Sequence, residues 1–513
     1  MTGTGTGEVT VETLQRLVDA FNAHDLDAVM SFFADDPILE MPRGPHPWGR
    51  RLQGREEVRS GLASRFAGIP DVHYGDDRHW VSGDRGCSEW LLTGTTTQGE
   101  RVEVRGCDLF EFEATRSPAR TPTGSSSSAE AAVQGTLWAS TADPADWDAL
   151  DPGVPGELDR CPGVLVVGGG VIGLATAVCC RRAGIGRVLV VEAGRLAGAA
   201  SGGAGGALAP ELHQLSDPPA FVTLARASLA LYRELDHDWD RALGLEQTAG
   251  LMLLPEGPPA GLRPWSGVEL LDRDQVAELI PELVPMPAGL LARAQARVHP
   301  LRLAAALARR AGTVATGVAM TDLEVGGGRI VRVRTTAGDL HPGVVVLATG
   351  LAPEPWVRMP QRLVKGHLVA TEPVRFRLRC GVHSPGLGVG STADGGLLVG
   401  GTRDEGDSSA EVRPEVVQGI RRRLAELLPA AGQVRVRHQW CCFRPATADG
   451  QPVIDRVPGL DNAWMSAGHD GDGLLMAPAT GQALATWITT GRQPREVATF
   501  GLARFDRDQG GRS

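Results

Sequence analysis

The feature that most constrains this chain is a glycine-rich turn between a short β-branched run and a helical stretch. Residues 164–167 are typical of a strand buried in a parallel sheet, and they lead directly into a G-x-G-x-x-G sequence at Gly168, Gly170 and Gly173. A second predicted strand ends on Glu192, 24 residues after Gly168. This order predicts the first βαβ unit of a dinucleotide-binding fold.

Each part of this unit has a physical task. Gly168 permits the tight turn, Gly170 lets the backbone approach a pyrophosphate, and Gly173 lets helix and strand pack closely. The helix start at Val171 and Ile172 supplies N–H groups and the positive end of a dipole. Glu192 is predicted to accept hydrogen bonds from ribose hydroxyls, which fits either FAD or NAD.

Two later segments are also rich in small residues. Residues 200–210 form a loop in which backbone could lie against an extended ligand, and we assign cofactor contacts there to Ser201, Gly205 and Gly206. Residues 344–350 are typical of another buried strand, ending on Gly350. Both segments are therefore predicted to border the cofactor.

Composition divides the chain into zones. Residues 1–114 show helical periodicity followed by alternating strands, and residues 115–159 have the Ser, Pro and Asp content of a flexible linker. Strands and helices alternate again over 160–499, and 500–513 is a polar, glycine-rich tail predicted to fray.

The charge and the cysteine spacing exclude several classes of protein. The formal net charge of −10 provides no basic field for nucleic acid. The eight cysteines lack C-x-x-C spacing, which predicts no metal site and a reduced, cytoplasmic setting. The start of the chain lacks a basic, apolar leader, and the uncharged stretch 164–180 carries four glycines that suit a turn better than a membrane span. We therefore predict a soluble protein that binds neither membrane nor nucleic acid.

The C-terminal part carries the most specific pattern. Residues 444–454 read R-P-A-T-A-D-G-Q-P-V-I, and residues 468–474 read G-H-D-G-D-G-L. Together with the glycine-rich turn, these runs resemble the family of FAD-dependent amine and amino-acid oxidoreductases that includes D-amino-acid oxidase and, most similar in the 201–210 loop, glycine oxidase. The resemblance covers about residues 163–490 and implies FAD as the cofactor.

The resemblance also implies the fold class. It is an α/β Rossmann-type FAD-binding domain interleaved with an α+β substrate domain built on an antiparallel sheet. The FAD-binding segments are expected at about 160–225, 295–360 and 435–499, and the substrate-domain segments at about 226–294 and 361–434.

Site residues follow from the same resemblance. Arg444 would pair with a substrate carboxylate, the alternative being a structural arginine bound to backbone carbonyls. His469 is a further candidate catalytic group, the alternative being a structural histidine. The second glycine-rich turn, at residues 468–474, is expected to bring helix N–H groups to the flavin, through Gly468, Gly471, Gly473 and Leu474.

This chain departs from glycine oxidase within that turn. Gly471 stands where the relatives carry an arginine, and Asp470 and Asp472 add negative charge, so a larger or more cationic amine is as plausible a substrate as glycine. Cys442 lies where sarcosine oxidase carries its flavin covalently, the alternative being inert packing. Lys365, the only lysine in the sequence, begins a K-G-H run that resembles a K-G-Q segment near the flavin edge.

Residues 8–113 resemble the SnoaL-like, nuclear transport factor 2-like family, which implies a small α+β cone fold. Met41 stands where the isomerase branch carries its general-base aspartate, which disfavours an isomerase. Six polar residues are candidates for lining a pocket or for solvated surface: His46, Asp71, His73, Asp76, Asp77 and Glu89.

The sequence thus predicts an FAD-dependent enzyme that oxidises an amino acid or secondary amine by hydride transfer, giving an imine that hydrolyses. The electron acceptor would be oxygen or another acceptor, and a homodimer is compatible with the sequence. The alternative is a ligand-binding or dimerisation cone-fold module fused to a catalytically weak flavoprotein.

Overall fold

A computed structural model describes residues 10–34, 37–46, 49–82, 85–111, 133–350 and 361–505. The chain divides into two units, residues 1–124 and 125–513, which are treated separately.

The first unit packs three helices on an antiparallel sheet. Its helices are α1 (Val11–Asn22), α2 (Leu26–Ser31) and α3 (Arg55–Gly68). A hairpin joins β1 (Ile38–His46) to β2 (Gly49–Gln53), and the three-stranded sheet has the order β3 (His73–Ser82), β4 (Arg85–Thr95), β5 (Arg101–Glu111). The helical periodicity predicted for this region gives α1 an apolar face that is buried at Leu14, Leu17 and Val18, whereas Val11 is 45% exposed.

The second unit contains a six-stranded sheet that matches the predicted dinucleotide-binding architecture. Its order is β12 (Thr313–Thr316), β7 (Val188–Glu192), β6 (Val164–Val167), β15 (Val344–Leu347), β23 (Ala463–Ala467), β22 (Val453–Arg456). All neighbours are parallel except β22 and β23. Most of the helical residues in its main core come from α6 (Val171–Arg182), α8 (Pro219–Asp238), α10 (Pro300–Ala308) and α12 (Gly473–Thr490).

A second, ten-stranded sheet is predominantly antiparallel. Eight strands follow one another in the order β10 (Val268–Asp272), β11 (Ala288–Arg297), β9 (Glu246–Leu254), β17 (Gly381–Ser384), β18 (Leu387–Ser391), β19 (Leu397–Gly400), β16 (Gln361–Thr371), β20 (Asp404–Glu405). Two further strands join this row: β21 (Val436–Thr447) pairs with β16, and β8 (Ala207–Leu208) pairs with β11. The remaining elements are the hairpin β13 (Met320–Gly326)–β14 (Arg329–Thr335), short α7 (Ala200–Gly203), α9 (Arg273–Leu279) and α11 (Pro414–Leu427).

Two of the expected segment boundaries shift. The whole of α8 packs in the core of the six-stranded sheet, although its second half was expected in the substrate domain. Strand β21 pairs with β16 along eleven residues and belongs to the ten-stranded sheet, although it was expected in the last FAD-binding segment. Backbone pairing and burial, which depend on distant partners, decide both cases.

The region predicted as a flexible linker is packed from Val133 onward. Helices α4 (Leu137–Thr141) and α5 (Pro144–Leu150) form there, and Leu150 has no exposed surface. The Leu150 carbonyl accepts from Leu196 N at 3.0 Å, and Trp138 Nε1 donates to the Ala204 carbonyl at 2.7 Å. We call residues 133–153 the strap; the preceding part of the expected linker, 115–132, lies outside the described residues.

The tail is packed as well, up to residue 505. Two 3₁₀ turns, Arg495–Phe500 and Leu502–Arg504, end the described chain. Phe500 is 2% exposed, and Arg504 Nε donates to Asp449 Oδ2 at 2.7 Å. Burial and this ion pair hold a segment that the sequence predicted to fray.

The strap gives a stability prediction. Leu150→Ala removes a side chain with no exposed surface, so we expect the free energy of unfolding to fall by about 2–4 kcal/mol. Denaturant unfolding of the whole chain measures the change. Val154→Ala, at a valine that is 52% exposed, is the matched control, and equal stabilities for the two variants would contradict the packing of the strap.

Candidate active site

One large cavity, of about 2100 Å³, brings most of the predicted site residues together. A pocket for a single small molecule has roughly 300–1,000 Å³, so this cavity has room for a dinucleotide and a substrate. The predicted residues that line it are Gly170, Val171, Ile172, Ser201, Gly205, Gly206, Gly350, Cys442, Arg444, Gly468, His469, Gly471, Gly473 and Leu474. Gly168, Gly173 and Glu192 are not among the residues that line it.

The glycine-rich turn is as close-packed as the sequence predicts. Gly168 has φ +108°, and a Cβ there would lie 2.4 Å from the Ala348 carbonyl oxygen. A Cβ on Gly173 would lie 2.0 Å from the Gly168 carbonyl oxygen. Ser201 Oγ accepts from Val171 N at 3.0 Å and so ties the second small-residue loop to the start of α6. Gly170, Val171, Ile172 and Ser201 therefore lie in this wall of the cavity.

Glu192 ends β7, as predicted, and its carboxylate binds backbone. Oε2 accepts from Gly169 N at 2.7 Å, and Oε1 accepts from Gly194 N at 2.9 Å. These bonds hold the carboxylate against the glycine-rich turn, and the predicted contact with ribose stays a prediction.

The residues present fit a bound dinucleotide. Ser466, at the end of β23, is 2% exposed and lines the cavity, yet its hydroxyl has no hydrogen-bond partner among the described residues. A buried hydroxyl without a partner is costly, so a polar group bound in the cavity would satisfy it. The turn residues Gly168–Gly170 carry no side chains, and the Ser201 hydroxyl, which accepts from Val171 N, is a further polar group beside the start of α6.

Arg444 lies on β21 and points its guanidinium past the neighbouring strand. Nη1 donates to the Thr402 carbonyl at 2.8 Å, and a Cβ on Gly366 would lie 2.5 Å from Nη2. Glycine at position 366 therefore makes room for the guanidinium. A Cβ on Gly471 would lie 3.4 Å from Arg444 Nε, so the arginine also borders the 468–474 turn. One N–H group of the Arg444 guanidinium therefore binds a backbone carbonyl, and the arginine side chain remains in the cavity wall.

His469 is a buried, neutral histidine. It is 4% exposed, and Nε2 lies 3.4 Å from Thr480 Oγ1. Burial lowers the pKa of His469 to about 4. The imidazole is therefore uncharged near neutral pH and poorly matched to proton transfer there.

The two carboxylates of this turn are balanced by cations. Asp470 pairs with Arg403 at 2.8 Å, and Asp472 Oδ1 lies 3.3 Å from His213 Nε2. The negative charge that the sequence predicts here is thus compensated, which removes the argument for a more cationic substrate from these two residues.

His213 also lines this cavity, although no sequence motif predicted it. Its Nδ1 lies 3.0 Å from Asp217 Oδ2, and the i, i+4 spacing of the two residues was the available signal. Burial alone would lower the pKa of His213, but the carboxylates of Asp472 and Asp217 outweigh it and raise the pKa to about 10.

These histidines predict how stability depends on pH. Burial lowers the pKa of His469 to about 4, so the unfolded chain, with an imidazole pKa of about 6.5, binds more protons between these values and stability falls as pH drops. His213 has the opposite sign: its contribution is complete below the unfolded pKa and is lost as pH rises through about 10.

Urea unfolding at about pH 5, 7 and 9.5 measures both limbs. His469→Asn should flatten the acidic limb and His213→Gln the alkaline limb. Stability that is equal at all three pH values would contradict the assigned protonation states.

Cys442 lines the cavity as an un-ionised thiol. Burial raises its pKa to about 11, and its Cβ lies 2.6 Å from where a Cβ on Gly203 would be. Covalent attachment of flavin needs a reactive sulfur, and burial disfavours the thiolate. Packing against the glycine loop is the role that the contacts support.

Lys365 faces away from the cavity. It has no exposed surface, and Nζ donates to Asp407 Oδ2 at 2.8 Å and to Ser409 Oγ at 3.0 Å. Alternation along β16 places Gly366 on the Arg444 side and Lys365 and His367 on the other. His367 Nε2 accepts from Arg413 N at 3.2 Å.

The first unit contains its own buried polar groups. Asp108 accepts from Trp90 Nε1 at 2.9 Å, and burial raises the pKa of Asp108. His79 bridges Asp77 Oδ2 at 2.7 Å and Ser88 Oγ at 2.9 Å. Of the other predicted candidates, Asp71 accepts from Thr95 N at 2.5 Å, Asp76 pairs with Arg105, and the side chain of His46 lies outside what the structure describes.

Metal-ligating clusters and membrane-spanning helices are absent from the ranges that the structure describes. These ranges contain no group of three or more His, Cys, Asp or Glu side chains placed to hold a metal ion. None of their helices is both long and apolar enough to cross a bilayer.

A mostly parallel sheet with a glycine-rich turn at the edge of a large cavity defines a dinucleotide-binding protein. The family model described as FAD dependent oxidoreductase matches residues 163–487, and a SnoaL-like domain model matches residues 14–116. The first match spans more than half of the chain, so the chain belongs to the FAD-dependent oxidoreductase family, and FAD is its cofactor. The second match confirms the SnoaL-like resemblance of the first unit.

Individual relatives agree with this assignment. Glycine oxidase of Pseudomonas aeruginosa is 30% identical over 352 residues, covering 64% of this chain and 95% of that protein. Glycine oxidase of Pseudomonas putida is 29% identical over 350 residues, with the same coverage. Among solved structures, L-proline dehydrogenase from P. horikoshii has a TM-score of 0.62 at 21% identity, covering 68% of this chain and 99% of that chain. The structural likeness supports the fold, with its interleaved FAD-binding and substrate domains.

Proposed function

We propose that this enzyme oxidises an amino acid, or a secondary amine that bears a carboxylate, to the corresponding imine. The observation that carries the proposal is Arg444, whose guanidinium lies in the cavity wall beside the 468–474 turn. Relatives named glycine oxidase, opine oxidase and sarcosine oxidase act on substrates of this kind.

Arg444 would bind and orient the substrate. A guanidinium presents paired N–H donors that match a carboxylate, and the bond from Nη1 to the Thr402 carbonyl fixes its plane. With its carboxylate held by Arg444, the substrate would keep its nitrogen-bearing carbon at a fixed position within the cavity. Orientation of this kind lowers the entropic part of the barrier.

The bound FAD supplies the acceptor for a hydride equivalent from that carbon. The chain's contribution at this point is the amino end of α12, where Gly473 and Leu474 line the cavity and the helix dipole favours negative charge. His469, buried and neutral, adds no competing charge beside this helix end. Water would hydrolyse the released imine to a carbonyl compound and ammonia or an amine.

Steady-state turnover tests the proposal. The holoenzyme is incubated with glycine, sarcosine, proline and a set of D-amino acids, and the carbonyl product is quantified in air and with an artificial electron acceptor. We expect at least one carboxylate-bearing amine to give product, and hydrogen peroxide release in air would assign oxygen as the acceptor. Turnover of carboxylate-free amines alone would contradict the role of Arg444.

A further inference from the structure

His213 has carboxylates on both sides of its ring. Nδ1 lies 3.0 Å from Asp217 Oδ2, and Nε2 lies 3.3 Å from Asp472 Oδ1. An ionised carboxylate only accepts hydrogen bonds, so Nδ1 donates to Asp217, and the ion-pair contact of Nε2 with Asp472 favours an imidazole that carries a positive charge. This cation lines the cavity with a side chain that is 23% exposed.

The Asp217 side of this arrangement is fixed by further bonds. Ser216 Oγ donates to Asp217 Oδ2 at 2.7 Å, and Gln451 Nε2 donates to Oδ1 at 3.1 Å. The neighbouring cavity residue His383 is neutral, because burial first and the charge of His213 second lower its pKa to about 4. Asp217 therefore orients the ring, and the other ring nitrogen is directed at Asp472.

Asp472 occupies the position where an aspartate usually caps a helix. It immediately precedes α12, and its carbonyl accepts from Met476 N at 2.9 Å, but its carboxylate makes no capping bond to the first turn. A capping carboxylate would neutralise the positive end of the helix. Here the carboxylate turns to His213 instead, and Gly471, Gly473 and Leu474 remain at the cavity wall.

We propose that His213 is a positioning residue that holds the Asp472 carboxylate away from the first turn of α12 and balances its charge, which leaves the positive end of this helix free to act on the bound flavin. The unpartnered hydroxyl of Ser466, in the strand before the turn, independently marks this wall as facing a bound polar group. The inference rests on the proposed function in one respect: the flavin ring must lie against this turn. Negative charge on reduced flavin is then stabilised by α12 only while His213 is cationic.

Two properties of the flavin-loaded protein test this: its affinity for sulfite, an anion that adds to oxidised flavin, and its reduction potential. His213→Gln leaves Asp472 uncompensated, so we expect sulfite to bind about tenfold more weakly and the potential to fall by about 30 mV, the two-electron equivalent of tenfold. The double variant His213→Gln/Asp472→Asn should regain most of both losses.

Asp472→Asn alone gives an effect of opposite sign. It removes a negative charge while Asp217 keeps the imidazole cationic, so sulfite should bind more tightly than to the wild type, and weaker binding would overturn the inference. This variant keeps the inference testable if His213→Gln does not fold. His341→Gln, at an exposed histidine bound to the Val331 carbonyl, is the matched control and should change neither property.

If flavin-loaded His213→Gln keeps the wild-type sulfite affinity and reduction potential, this inference is overturned but the proposed function is not. A double variant as impaired as His213→Gln would also overturn it, because the histidine would then act independently of Asp472. A wild-type protein that binds no flavin would overturn this inference and the proposed function together.

Discussion

Replacing Arg444 with alanine is expected to lower kcat/KM for a carboxylate-bearing amine by about a hundredfold to a thousandfold. The guanidinium lies in the cavity wall, where a substrate carboxylate left without a charged partner would be poorly solvated. Arg444→Lys keeps the charge but loses the paired donors, so it should recover only part of the activity. Initial rates over a range of substrate concentrations measure the effect.

Two controls isolate the carboxylate. Arg362→Ala removes an arginine from the neighbouring strand β16 that is 47% exposed and paired with Glu405, and it should leave kcat/KM near the wild-type value. An amine analogue without a carboxylate should lose little on Arg444→Ala. Wild-type kinetics for Arg444→Ala with a carboxylate substrate would show that this arginine serves only the Thr402 carbonyl.

The second large effect is expected on stability. Asp407→Ala leaves the Lys365 ammonium, which has no exposed surface, without its carboxylate partner at 2.8 Å. Removing one partner of a buried ion pair costs about 3–5 kcal/mol, so for a unit of this size we expect Tm to fall by about 4–6 °C. Differential scanning calorimetry of the holoenzyme measures it.

The double variant Lys365→Met/Asp407→Ala is the control for this prediction. Methionine fills a similar volume without a charge, so most of the lost Tm should return. Because Lys365 faces away from the cavity, the flavin absorbance of this double variant should match that of the wild type. A Tm for Asp407→Ala within a degree of the wild type would contradict the burial of Lys365.

The dinucleotide-binding unit could be predicted because its signals are local. The strand, the turn at Gly168–Gly173 and the start of α6 follow one another in the sequence, and the steric limit on Gly173 is set within the turn by the Gly168 carbonyl, although Gly168 itself is limited by the distant Ala348 carbonyl. The strap could not be predicted in this way. Its Ser, Asp and Pro content is typical of a linker, and the partners that bury Leu150 and Trp138, such as Leu196 and Ala204, lie about 50 to 70 residues further along the chain.

The site was predictable to the extent that its residues lie in contiguous motifs. Arg444 and the 468–474 turn belong to such motifs and meet in the cavity. Lys365 belongs to one too, but strand register decides which face it occupies, and a one-residue step in β16 separates it from the cavity side. His213 has no motif, and its function depends on Asp472, 259 residues away in the sequence.

The most direct test of the proposed oxidation is anaerobic mixing of the flavin-loaded enzyme with single substrates. The visible absorbance of oxidised flavin is followed as glycine, sarcosine, proline or a D-amino acid is added in excess without oxygen. We predict that at least one of these carboxylate-bearing amines bleaches the flavin band fully, and that Arg444→Ala bleaches far more slowly with the same compound. A fully loaded flavin that none of these amines reduces would contradict the proposal that this enzyme oxidises amino acids.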